Sequence, residues 1–321
     1  MSDVVGLALP FFGLILLGFV AGRIWHEDEK ALAWLNIYVI YFALPALFFE
    51  VLSKTPIEEL TNGSFIFATT FATYTAFAFA FAFAVLKNDG RIPEATVQGL
   101  VGGYGNVGYM GAPLAIVALG PQAAAPAALI FSFDVTLVFT LAPLMMAMSG
   151  ASHQPIGSIL KSIPRKVLLH PFILATLAGV LAAFVDVGLP APLERFLSLL
   201  GGSAAPCALF ALGVTVGLRP LRRVPGELPF LIAIKLLVHP LIAYLLLTWI
   251  GGFDPVWIQT GVLMAALPPA ATIYVIAAQY RTYVLEGSSG ILLGTAASVI
   301  TLSLVLYLVT TGLLPLDPFG S

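Results

Sequence analysis

The sequence predicts an all-α polytopic membrane protein of ten transmembrane helices, built as two inverted five-helix repeats whose fourth and ninth spans are broken and cross. Three observations predict it. Of 321 residues, 60% are hydrophobic and 9% are charged, whereas soluble domains carry about 25% charged residues. Apolar runs of roughly 20 residues, the length that crosses a bilayer, recur from end to end. A constant shift of 161 residues then superposes the first five runs on the last five.

The spans are expected at about 4–25, 31–52, 64–87, 94–119, 121–148, 165–186, 190–217, 227–251, 255–280 and 287–312. The first has no basic residues ahead of its apolar stretch and reads as a retained span, not a cleaved signal peptide. The third contains AFAFAFAFA at 76–84, which has the period of a strand. A membrane strand alternates apolar with polar, because one face lines an aqueous lumen. Here both phases are apolar, so a helix is expected. The fourth carries GGYGNVGYMGAPLAIVALG at 102–120 and the ninth ALPPAAT at 266–272. Residues 149–164 are the expected linker between a first repeat, 1–148, and a second, 165–321.

The 161-residue shift pairs Pro10 with Pro171, Pro45 with Pro206 and Gln98 with Gln259, and it lays the interrupted fourth span on the ninth. Five spans is an odd number, so the second half must cross upside down relative to the first, as in many secondary transporters. With the N-terminus outside, the inner loops hold Arg23, Lys30, Lys87, Arg91, Lys161, Arg165, Lys166, Arg219, Arg222, Arg223 and Arg281. The outer loops hold Lys54 and Arg195. That asymmetry fits the positive-inside rule with both ends outside.

Several function classes drop out. A net charge of −2 offers no basic surface to nucleic acid. One cysteine, Cys207, excludes a disulfide framework or a thiolate cage, and four scattered histidines suggest no metal motif. No cofactor or metal is expected. An intramembrane enzyme would need paired aspartates, a Ser–His pair or H-E-x-x-H, and the spans show none of these. A receptor or structural protein would leave two matched helix breaks unexplained.

GYGNVG at 103–108 formally matches the dinucleotide fingerprint, but that motif needs a βαβ unit. Close helix packing through small residues accounts for Gly99, Gly102 and Gly103. It accounts less well for Asn106 with Gly105, Gly108, Gly111 and Pro113 inside nine residues. A deliberate break is the remaining reading, with Gly105 and Pro113 as its helix-break residues. Unwound backbone at membrane depth survives only where protein buries it or it lines a watery cavity. One half-helix is expected to begin near Gly111 and another near Ala270, after Pro268 and Pro269. Each N-terminus offers free N–H groups and partial positive charge, so two of them together make an anion site. The expected contacts are Asn106, Gly108, Tyr109, Gly111, Pro268, Pro269, Ala271 and Thr272, with Asn106 adding an orienting amide.

LNIYVIYFALPALFFEVLS, NVGYMGAPLAIVALG, KLLVHPLIAYLLL, ALPPAATIYVIAAQY and GTAASVITLSL resemble the auxin efflux carrier family, in its short prokaryotic form, over essentially the whole chain. The resemblance implies a fold related to bile-acid sodium symporters and sodium/proton antiporters. It implies a scaffold of spans 1, 2, 6 and 7, a moving core of spans 3–5 and 8–10, and elevator-type alternating access. It also implies small organic anions as substrates: auxin in plants, dicarboxylates such as malate or malonate in bacteria. A bacterial plasma membrane and a homodimer through the scaffold follow from the same resemblance. Two features depart from the plant carriers: the long hydrophilic loop is missing, and an Asn stands at one crossover only, Asn106. A generic carboxylate is therefore expected in place of auxin.

Charges within spans cost roughly 2.5–3.5 kcal/mol on insertion scales. Lys235 is either a snorkelling lysine near the inner interface or a cation that balances the anion or replaces sodium in coupling, and the resemblance favours the second. Asp134 is a proton carrier, a partner of Lys235, or the cap of a broken helix. His239, ahead of Pro240, is read as bonding a freed carbonyl. A sodium-coupled symporter of the bile-acid type is the rival reading, since sodium needs clustered oxygen ligands and the core spans carry few acids.

Overall fold

The computed structural model describes residues 2–27, 29–56, 62–87, 89–151, 155–185, 188–219 and 224–318. The regular elements among the described residues are all helices, with one isolated β-bridge and no strand. In chain order the helices are α1 (Ser2–Trp25), α2 (Lys30–Leu52), α3 (Gly63–Lys87), α4 (Ile92–Gly103), α5 (Val107–Leu119), α6 (Pro121–Met148) and α7 (Ile156–Leu168). They continue as α8 (Pro171–Phe184), α9 (Ala191–Leu218), α10 (Leu228–Ile250), α11 (Pro255–Ala265), α12 (Thr272–Tyr280) and α13 (Val284–Thr310).

Six of these are long and apolar enough to cross a membrane by themselves, or seven if α7 and α8, bent by 53° at their junction, count as one. Others are apolar but short, among them α5 and α11. Each is half of an interrupted run, and a break divides the length that crossing requires. Large apolar side chains such as Leu17, Phe67, Phe79, Trp249 and Ile300 are exposed on the outer faces, as expected where lipid is the solvent. The chain is an integral membrane protein.

The alternating stretch 76–84 lies inside α3. Ala72, Ala76, Ala80 and Ala84 are fully buried, one every four residues, which is the helical repeat that places them on one face. That face receives α4, where a Cβ on Gly103 would sit 2.7 Å from the Phe77 backbone. The segment 149–164 is not all connector: most of α7 lies in it, and the following helix starts at Pro171 instead of 165. In α7, Ile156, Leu160 and Leu168 are exposed alongside Lys161, Arg165 and Lys166, an amphipathic pattern suited to an interface.

Prolines bend this architecture less than their number suggests. Pro45, Pro113, Pro143 and Pro240 each follow a π-helical turn: Val39–Ala43, Val107–Gly111, Leu137–Leu141 and Ile234–Val238. A proline ring clashes with the carbonyl four residues back and supplies no N–H to it. A locally widened turn shifts the register by one residue and relieves both problems.

Lipid tails are as apolar as leucine, so helices here associate by close packing. α1 and α9 approach nearest: a Cβ on Gly213 would fall 2.0 Å from the Ile15 carbonyl oxygen, and one on Gly18 2.2 Å from that of Phe210. α2 packs on α8 and α9, while α3 packs on α4 and α10, and α10 on α11.

Candidate functional site

The two interruptions meet. Helix α4 ends at Gly103, and residues 104–106 are unwound before α5 resumes at Val107. Helix α11 ends at Ala265, and residues 266–271 are unwound before α12 starts at Thr272. Gly105 and Pro269 face each other as an antiparallel bridge. Asn106 N–H donates to the Pro268 carbonyl at 2.9 Å, and Ala270 N–H donates to the Tyr104 carbonyl at 3.2 Å. Each unwound segment thereby satisfies backbone groups of the other, which buried main chain requires.

The paired segments have two chemically distinct sides. On one, α5 and α12 begin, and their first amides precede the intrahelical bonds. These two N-terminal ends border a cavity of about 360 Å³ lined by Tyr104, Gly105, Asn106, Val107, Gly108 and Tyr109 from the first break. Ala270, Ala271, Thr272 and Val275 line it from the second, and Asn36, Phe131, Phe139, His170, Phe172, Thr215 and Arg219 from surrounding helices. Phe131 packs on Phe172 with ring centroids 3.7 Å apart, forming an apolar wall. Asn106 is 3% exposed and its Nδ2 has no hydrogen-bond partner. Tyr109 O–H donates to Asn36 Oδ1 at 3.4 Å. The Arg219 guanidinium lies over the Tyr274 ring, 3.9 Å from its centroid, a cation–π contact.

On the other side lies Lys235, fully buried. Its Nζ donates to the carbonyl of Ala265, the last residue of α11, at 2.6 Å, and contacts His239 Nδ1 at 3.1 Å. A Cβ on Gly105 would come within 3.3 Å of that Nζ. A cation at the C-terminal end of a half-helix opposes the negative end of its dipole. Lysine therefore covers a carbonyl end while the amide ends stay turned to the cavity.

The sequence-predicted residues divide accordingly. Gly105, Asn106, Gly108, Tyr109, Ala271 and Thr272 line the cavity. Pro268 and Pro269 act through the bridge to the first break. Gly111 faces away from the cavity: a Cβ there would strike Leu267 Cδ1 at 2.5 Å and Met264 Sδ at 2.6 Å. The first half-helix begins at Val107, ahead of Gly111, because the π turn absorbs Pro113, which lies within α5. Asp134 is 2% exposed in α6, and no direct ion pair with Lys235 occurs among the described residues. Among the described residues His239 bonds Lys235 and Thr73 and not the freed carbonyl expected of it.

Sequence reasoning missed Asn36, His170, Thr215 and Arg219, which come from distant segments. Arg219 was visible only as one more inner-loop cation. The Lys235–His239 contact did have a signal, since the two stand four residues apart on one helix.

The chain matches the family described as membrane transport protein over residues 3–306. A protein of Rhizobium meliloti (strain 1021) named "Putative malonate transporter" is 47% identical over 319 residues, covering 99% of this chain and 100% of that protein. The uncharacterized transporter YfdV of Escherichia coli (strain K12) is 25% identical over 318 residues, 94% of this chain and 96% of its own length. The lysosomal cholesterol signaling protein of Mus musculus is 25% identical over 322 residues, covering 90% of this chain and 36% of that protein.

Proposed function

The chain belongs to the membrane transport protein family, in its auxin efflux carrier group, and from that premise we propose that it is a secondary transporter of small organic anions, dicarboxylates of malonate size foremost. One observation carries the reading. Two unwound segments pair at Gly105 and Pro269 and turn two half-helix N-termini toward a cavity of about 360 Å³. Free amides and aligned dipoles at such ends bind anions without a formal charge. Asn106, with its amide unpartnered, orients one carboxylate, and Thr272 and Tyr109 flank it. Arg219 supplies a positive charge toward a second carboxylate, a pairing that its planar fork suits. The relative named for malonate supports the choice of substrate.

Ten membrane crossings in two inverted repeats remain the reading of the fold, since the breaks fall in corresponding places under the 161-residue shift. In that reading α1, α2, α8 and α9 are the scaffold and the other spans the core that moves past it, elevator fashion. A scaffold dimer in a bacterial plasma membrane, with both ends outside, belongs to the same reading. The cavity is lined by the inner ends of α2 and α9 under the positive-inside orientation, so this state faces the cytoplasm.

Coupling runs through Lys235 and Asp134. Half-helix C-terminal carbonyls hold sodium in many transporters, and here an ammonium stands on such a carbonyl. That supports a sodium-independent cycle driven by protons. Purified protein in liposomes should take up labelled malonate against its gradient when the outer solution is more acidic. Uptake that needs sodium would reverse the coupling, and no flux of any dicarboxylate would sink the reading.

A further inference from the structure

Four buried polar side chains from three helices stand in a row behind the paired segments. Lys235 and His239 come from α10, Thr73 from α3 and Asp134 from α6, and each is at most 2% exposed. α10 packs on α3 and α3 on α6. Lysine Nζ meets His239 Nδ1 at 3.1 Å, and His239 Nε2 meets Thr73 Oγ1 at 3.2 Å. Asp134 stands on the helix that packs against that of Thr73, near enough for the Thr73 side chain to act on its carboxyl group, and its Oδ1 has no partner.

We propose that His239 and Thr73 form a proton relay joining Lys235 to Asp134, and that proton movement in the transport cycle passes through these two side chains. The proposal rests on the reading of Lys235 and Asp134 as the coupling pair and adds the path between them.

The donor–acceptor order supports it. An ammonium only donates, so Nδ1 is the acceptor and the His239 proton sits on Nε2. Nε2–H then donates to Thr73 Oγ1, leaving the hydroxyl proton to turn toward the carboxylate. The two hydrogen bonds run the same way, from α10 toward α3. One proton leaves Nζ for Nδ1, one leaves Nε2 for Oγ1 and one leaves Oγ1 for the Asp134 carboxylate. The products are a neutral amine, an imidazole of the other tautomer, a hydroxyl and a carboxylic acid. Net charge is unchanged, two separated charges are cancelled, and water is not needed. In a site this deep, unpaired charge is costly, so the shift allows the pair to be charged in one stage of the cycle and neutral in another.

The other titratable groups facing the relay, among the described residues, are the phenols of Tyr74 on α3 and Tyr104 at the end of α4, both within electrostatic reach of Asp134. Tyr74 is engaged with Thr136 at 3.0 Å. From α11 the relay meets a backbone carbonyl, that of Ala265.

The test uses the full-length protein in liposomes loaded with a pH-sensitive dye, with labelled malonate. In Thr73→Val and His239→Gln the ratio of proton flux to malonate exchange should fall by at least about tenfold, the low end of what a positioned proton carrier contributes. Thr73→Ser should restore it, which a purely packing role for Thr73 would not require. A Thr73→Val protein with wild-type proton flux per malonate overturns the relay. Wild-type malonate transport without proton flux also overturns it, while leaving anion transport standing. A second readout needs no substrate: in ¹⁵N-histidine NMR the pH at which the His239 signals move should shift on Asp134→Asn. No shift overturns the relay even if malonate proves to be the wrong anion.

Discussion

The Lys235 ammonium sits 2.6 Å from the carbonyl oxygen of Ala265, so a side chain of α10 caps the last turn of α11. A helix that stops inside the membrane leaves carbonyls that water cannot reach. Lysine satisfies one of them and opposes the dipole there. The same contact fixes α10 to the unwound segment that follows Ala265.

Replacing Lys235 by Met keeps most of the volume and removes the donor. Malonate flux in liposomes should fall by about a hundredfold, the scale of losing one preorganised electrostatic contact. Thermal stability in detergent should fall by about 1–3 kcal/mol for the stranded carbonyl. Wild-type flux with unaltered pH dependence would remove Lys235 from the cycle.

Gly294 on α13 leaves no room at the second break: a Cβ there would lie 2.5 Å from Pro269 Cδ and 2.9 Å from Cγ. A proline ring cannot swing aside as a long side chain can. Gly294→Ala should therefore cost about 1–3 kcal/mol and weaken malonate binding by displacing the bridge to Gly105. Gly111→Ala, which meets the flexible ends of Leu267 and Met264, should be milder. The reverse order, read by thermal shift with and without malonate, would contradict the geometry.

Asn106→Ala removes the unpartnered cavity amide and should raise KM for malonate by about tenfold, one charge-assisted hydrogen bond. Its fold should be unchanged, because the bridge uses the Asn106 backbone and not its side chain. An unchanged KM would take Asn106 out of the site.

Arg219→Gln separates dicarboxylates from monocarboxylates. The KM of malonate should rise by about tenfold or more, while that of a monocarboxylate such as propionate should change less. Equal effects on both would mean that Arg219 does not read the second charge.

Glu227, just ahead of α10, receives Lys87 Nζ on Oε2 at 3.1 Å and the Tyr283 hydroxyl on Oε1 at 2.9 Å. Burial works against its charge, but its own backbone amide, Lys87 and Tyr283 together hold its pKa below the ordinary value. A depressed folded pKa adds stability in full above the unfolded value, roughly 4.3, and loses it as pH falls through the folded value. Glu227→Gln should thus lower the melting temperature at pH 7, and the gap from wild type should close in acid. A gap that widens in acid would refute this sign.

Much of the fold is legible in the residues. The apolar runs and the helical reading of AFAFAFAFA need only composition and periodicity, and the Gly105 break needs only a run of poor helix formers. The prolines misdirect, because whether a proline ends a helix depends on whether a widened turn can take up its lost hydrogen bond, as before Pro113 and Pro240. Residues 156–168 misdirect too. Their mixed polarity suits a connector as well as an interfacial helix, and only packing of Ile159, buried at 3% exposure, distinguishes them.

The amino-acid order alone determined that this chain lives in lipid, that two of its apolar runs are interrupted and that charge within them is scarce, because each follows from what a bilayer tolerates residue by residue. Tertiary structure decided the rest. It set Gly105 against Pro269, turned Gly111 away from the cavity, brought Arg219 and His170 to it, and linked Lys235 through His239 to Thr73. Those relationships join positions far apart in the chain, and no local propensity encodes a distance across helices. They arise only when the helices pack closely enough for buried polar groups to find one another.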